Sequence, residues 1–120
     1  MVTVEHVDFI SVPTQDIARA KRFYGELLGL DHEKDTPTGS EYRAGQVTIG
    51  IWKPEDQGLP FTPNQAGFAL RVPDVAEARR ELETQGVSFD METIDTGVCH
   101  MAPMRDPDGN QVLLHRRYAL

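Results

Sequence analysis

The chain has a single cysteine, Cys99, so neither an internal disulfide nor a multi-thiolate metal site can be built and the fold must rest on its packed core. Basic residues are also scarce: twelve Lys and Arg face nineteen Asp and Glu, a formal charge of −7. Proteins that grip phosphate backbones or anionic lipid need a clustered basic footprint, so nucleic acid and membrane are not expected partners. Long apolar runs are missing as well. None approaches the roughly 20 residues of a bilayer span, and the opening MVTVEHVDF lacks the basic stretch and apolar core of an export signal. A cytoplasmic location is the default expectation. What is present is a chain of 120 residues, 39% apolar and 26% charged, which suits one small soluble domain.

The chain repeats itself. An offset of 58 residues carries Asp16 onto Asp74 and aligns Ile10 with Phe68, Val12 with Leu70, Ile17 with Val75 and Ala20 with Ala78. Each copy reads as a strand feeding a helix. In the second, Asp74 and Glu77 have capping-box spacing, so a helix should start at Val75, bury Val75, Ala78 and Leu82, and end near Gly86. In the first, Ile17, Ala20, Tyr24, Leu27 and Leu28 form the stripe, closed by Gly29. Alternating segments follow each helix: 30–33, 41–44 and 47–52, then 87–90, 99–105 and 111–115. The order is β-α-β-β-β, twice. Pro54, Gly58, Pro60 and Pro63 mark a linker at about 53–65 between a module of about 1–56 and one of about 66–120.

Two stretches carry a resemblance. Asp16-Ile-Ala-Arg-Ala-Lys-Arg-Phe-Tyr-Gly-Glu-Leu-Leu-Gly-Leu matches a D-L-x-x-[AS]-x-x-F-Y helix ending in L-G-[LM], and Arg105-Asp-Pro-Asp-Gly-Asn-Gln-Val-Leu-Leu matches a D-P-D-G-[NYH] turn before a final strand. On these motifs, in order within a duplicated chain, the protein resembles the vicinal oxygen chelate superfamily over nearly its whole length. That superfamily includes glyoxalase I, bleomycin-resistance proteins, fosfomycin-resistance enzymes and extradiol dioxygenases. The resemblance implies an α+β fold, a single domain over 1–120 in which two tandem βαβββ modules wrap into a cup-shaped mixed sheet around a ligand cavity. It also implies modules that pair within a chain or across a dimer, and a homodimer is expected. It does not fix a reaction, because isomerisation, ring cleavage, thiol addition and drug sequestration share this scaffold.

Metal-using members of the family draw four His, Glu or Gln ligands from the first and last strand of each module. Counting from the motifs, seven residues before each Asp and four after Gly109, those positions fall on Phe9, Gly67 and Leu113, with Gly50 as the counterpart of Leu113. None offers an imidazole or carboxylate. The family's metal centre is therefore expected to be vacant, leaving a divalent metal only at a site outside the family's positions. His6 lies three residues before Phe9, on the other face of a regular strand.

Strand alternation assigns the cavity lining. With Ile10, Val12, Ile49, Ile51, Val112 and Leu114 on the helix side, Phe9, Ser11, Thr48, Gly50 and Trp52 face in from one module, and Gly67, Arg71, Gln111, Leu113 and His115 from the other. Phe9, Trp52 and Met104 read as an aromatic and apolar wall for a planar ligand, or as core. Arg71 reads as an anion contact, or as a side chain reaching water. If residues 106–109 close a simple four-residue turn, Arg105 pairs with Asn110 and His100 with His115, setting two imidazoles side by side. Such a pair could supply a general base, or simply hold the sheet end or a dimer contact. Cys99 lies on the opposite face from His100 and reads as a buried, inert thiol. The acidic stretches Glu33-Lys34-Asp35 and Glu55-Asp56 read as solvated loops.

The expected function is small-molecule binding in an apolar and aromatic cavity without the four-ligand metal centre, sequestering a planar or drug-like metabolite. The alternative is an enzyme of the family, a glyoxalase-type lyase, isomerase or dioxygenase. It would use a metal at an atypical site, or work metal-free through His100 and His115. A third reading is an interaction module whose cup is filled by its own side chains.

Overall fold

The structure, a computed structural model, describes residues 1–120. It divides into two compact units, Met1–Thr62 and Pro63–Leu120, each a mixed four-stranded sheet with a helix on one face. No helix is long and apolar enough to cross a membrane.

In the first unit β1 (Phe9–Pro13), α1 (Ile17–Lys21), β2 (Asp31–Thr36), β3 (Gly39–Ala44) and β4 (Val47–Trp52) follow in order. The sheet order is β1-β4-β3-β2, with β1 parallel to β4 and the other pairs antiparallel. A crossover is needed to bring a first strand parallel to a last one, and α1 supplies it. Asp16 starts α1 by accepting the Arg19 N–H at 3.0 Å. Beyond Lys21 the helix widens into a π-type stretch over Arg22–Leu27. There Gly25 admits the Tyr42 ring, which a Cβ would meet at 3.0 Å. The core lies between helix and sheet: Val12, Ile49, Ile51 and Tyr42 from the strands against Ala20, Phe23 and Tyr24.

The second unit repeats this plan with β5 (Phe68–Arg71), α2 (Val75–Thr84), β6 (Ile94–Asp95), β7 (Cys99–Arg105) and β8 (Gln111–Arg117), in the order β5-β8-β7-β6. Asp74 caps α2 by accepting the Glu77 N–H at 3.0 Å, and Gly86 leaves it at φ +89°. Met104, Ala102, Val112, Leu114, Val75 and Leu82 are buried as its core.

The structure corrects four local expectations. Residues 87–90 do not form a ladder: Phe89 makes one isolated bridge to Met104, and the edge strand comes later, at Ile94–Asp95. Arg79 accounts for this, since its guanidinium lies 4.6 Å over the Phe89 ring and donates to the Met91 carbonyl and Thr93, fastening the segment to α2.

The turn after β7 is one residue longer than four. Arg105 pairs with Gln111, so Met101 stands opposite His115 and His100 opposite Arg116. Asn110 is drawn into the turn because its side chain is buried, donating to Asp106 Oδ2 at 2.8 Å and accepting the Asn64 N–H at 2.7 Å. A one-residue shift reverses every face on β7. His100 and His115 therefore lie on opposite faces. Met104, expected on the cavity wall, is instead wholly buried on the helix side opposite Val112.

Residues Glu33, Lys34 and Asp35 form part of β2 rather than a loop. A bulge between His32 and Lys34 goes with Glu33 accepting from Thr48 at 2.8 Å and pairing with Arg43 at 3.5 Å.

Candidate functional site

Paired residues on neighbouring strands share a face. On the face of the first sheet away from α1, β1 and β4 set Phe9 beside Thr48, Ser11 beside Gly50 and Pro13 beside Trp52. The two-residue Gly45-Gln46 turn then sets Glu41 of β3 beside Gly50. A pocket of about 440 Å³ opens on this face, lined by Phe9, Ser11, Glu41, Gly50 and Trp52, and also by Thr36 at the end of β2, Thr38 in the turn after it and Gln57. Gln57 arrives there through a 3₁₀ turn over Pro54–Gln57, in the stretch expected to be an irregular linker.

Two features give the pocket its chemistry. Gly50 contributes no side chain at its centre, and the wall nearest it is the Phe9 ring, which remains 58% exposed. Trp52 adds its ring to the wall, its Nε1 buried without a hydrogen-bond partner. The arrangement can stack a planar molecule.

Of the sequence-predicted site residues, Phe9, Ser11, Gly50 and Trp52 come together here. Thr48 lies on the same face, engaged by Glu33. In the second unit Gly67 and Gln111 meet directly, the Gly67 N–H donating to Gln111 Oε1 at 3.2 Å, and a Cβ at Gly67 would run into the Gln111 carbonyl. Leu113 stands between Ala69 and Pro103. Arg71 and His115 are direct register partners and, with Arg117 and the segment Tyr118–Leu120, line a second, shallower concavity of about 380 Å³. His100 belongs to another cluster: its ring stacks on Tyr118 at 4.6 Å and lies 3.3 Å from Asp95, whose carboxyl the Tyr118 hydroxyl holds below the usual range. The separation of His100 from His115 removes a two-histidine acid/base pair.

Sequence reading missed Glu41, Thr36, Thr38 and Gln57. The signal for Glu41 was present: a tight turn at Gly45-Gln46 fixes its pairing with Gly50 once β3 and β4 are taken as a hairpin.

A metal does not fit the positions where the family resemblance would put one. Ser11 beside Gly50 and Ala69 beside Leu113 confirm that Gly50 and Leu113 are equivalent places in the two sheets. Neither they nor Phe9 and Gly67 carry a donor group.

With this geometry in view, the chain can be set beside known proteins. The family model described as "Glyoxalase/Bleomycin resistance protein/Dioxygenase superfamily" matches residues 4–114. Among solved structures, a glyoxalase family protein from Bacillus anthracis superposes with a TM-score of 0.82 at 21% identity, covering 98% of both chains. An antibiotic-binding protein from Streptomyces sp. CB03234 superposes at 0.78 with 28% identity, covering 98% of this chain and 99% of that one. Lactoylglutathione lyase from Agrobacterium tumefaciens superposes at 0.77 with 16% identity, covering 94% of each. No curated protein matches the sequence.

Proposed function

The chain belongs to the glyoxalase/bleomycin resistance protein/dioxygenase superfamily, and within it we propose a binding role: it holds a planar, drug-like small molecule without using a metal. The observation that carries this reading is the pocket of about 440 Å³ between Phe9, Gly50 and Trp52. Its volume falls in the range of small-molecule sites, roughly 300–1,000 Å³. Its walls offer flat aromatic surface at Phe9 and Trp52. The likeness to an antibiotic-binding protein supports the same reading.

Trp52 is the only tryptophan, so intrinsic fluorescence reports on the pocket without a label. Titration with a panel of planar aromatic compounds should give saturable quenching, unchanged by excess chelator. Quenching that a chelator abolishes, or conversion of a bound compound to product, would overturn the reading in favour of an enzyme.

A further inference from the structure

Glu41 is the one ionisable side chain among the residues lining the first unit's pocket. It is half-buried on β3, directly across from Gly50, and no side chain of the protein pairs with its carboxylate. Two cations lie near it on β2 and β3. Arg43, two residues along the same strand, is turned to Glu33 at 3.5 Å. Lys34 is Glu41's neighbour on β2 but makes no ion pair with it.

A carboxylate in a largely apolar recess loses hydration without gaining a partner, which is a cost a bound cation would remove. The Phe9 and Trp52 rings add to that preference, because an aromatic face attracts positive charge. We infer that the pocket selects a planar aromatic cation, with Glu41 as counter-charge and the Phe9 and Trp52 rings as stacking surfaces. This rests on the binding reading above and names the ligand class within it.

The test compares two probes of similar shape by calorimetric titration: proflavine, a planar cation protonated on its ring nitrogen, and acridone, which is planar and neutral. Proflavine should bind the native protein at least about tenfold more tightly, since a charge-assisted contact in a partly buried site contributes more than a neutral one. Glu41→Gln, nearly isosteric and checked for folding by circular dichroism, should remove about that tenfold preference and leave acridone affinity unchanged. Glu81→Gln, on the exposed face of α2 in the other unit, takes the same charge from the overall field and should change neither probe.

Equal loss in the Glu41 and Glu81 variants would show that only the protein's net charge attracts the cation, overturning the inference. Proflavine affinity unaffected by Glu41→Gln would overturn it too. In both cases continued acridone binding would leave the pocket reading intact, whereas failure of both probes to bind would remove that reading and this inference together.

Discussion

Ser11 beside Gly50 in the first half corresponds to Ala69 beside Leu113 in the second, and Pro13 beside Trp52 corresponds to Arg71 beside His115. The backbone plan is the same: a first strand parallel to the last, an Asp-capped helix between them, and two further strands added antiparallel. What differs is the face turned away from the helix. The first half leaves a glycine at its centre and an aromatic wall around it. The second puts Leu113 there and gathers Arg71, His115 and Arg117 toward one end. Duplication thus fixes where side chains point. Their identities at a few register positions decide whether the same place is an aromatic pocket or a basic recess.

The comparison can be broken first at its shared part. Ile51 and Leu114 are both buried and occupy equivalent places, opposite Val12 and Leu70. Ile51→Ala and Leu114→Ala should each cost about 2–5 kcal/mol in urea unfolding, the usual range for an emptied core site. Losses that match would sustain the equivalence of the two scaffolds, while a negligible loss in one would end it.

The unlike part is sharpened by Gly50→Leu, which gives the first half the residue of the second. It should weaken planar ligands by about a hundredfold, roughly 2.7 kcal/mol, while the urea midpoint moves little. Gly50→Ala should do less, because its Cβ would sit at an ordinary 3.5 Å from the Phe9 ring. Retained affinity in Gly50→Leu would place the ligand elsewhere.

The turn that separates His100 from His115 supplies the next effect. Asn110→Ala leaves the buried Asp106 carboxylate and the Asn64 N–H each short of a partner. About 1–3 kcal/mol of stability should be lost, measured by the same unfolding.

The smallest effect lies in an exposed carboxylate cluster of the first half. Asp35 accepts from Lys21 at 3.0 Å and from Ser40 at 2.9 Å, with His32 also 3.0 Å away, and Lys21 first among these holds its carboxyl down to about 2 from the usual 3.8. A depressed carboxylate contributes stability that is present above its unfolded value and lost as pH falls through the folded one. Asp35→Asn should therefore lower Tm slightly at neutral pH, by a margin that shrinks between pH 4 and 2. The pair is exposed, so the effect is small. A constant difference across that range would assign it to something other than ionisation.

Much of this was legible in the sequence where the signal was local. The 58-residue repeat located both helix caps, and the alternation of Ile10 and Val12 or Ile49 and Ile51 gave the buried faces of β1 and β4, because a side-chain period of two leaves only one consistent choice. The same logic failed on β7. A single residue, Asn110, entered the turn for the sake of buried hydrogen bonds to Asp106 and Asn64, and that displaced Met104 and His100 to the other face. Glu41 was missed because its importance comes from a neighbour on another strand.

Residue type at fixed spacing along the chain thus suffices for the duplicated βαβββ plan, the caps at Asp16 and Asp74, and the want of metal donors at Phe9, Gly50, Gly67 and Leu113. The register of the last hairpin, the bulge at Glu33 and the meeting of Glu41, Gly50 and Trp52 in one pocket arise on folding. These depend on hydrogen bonds and strand pairings between residues far apart in the chain, and no periodicity within one segment records them.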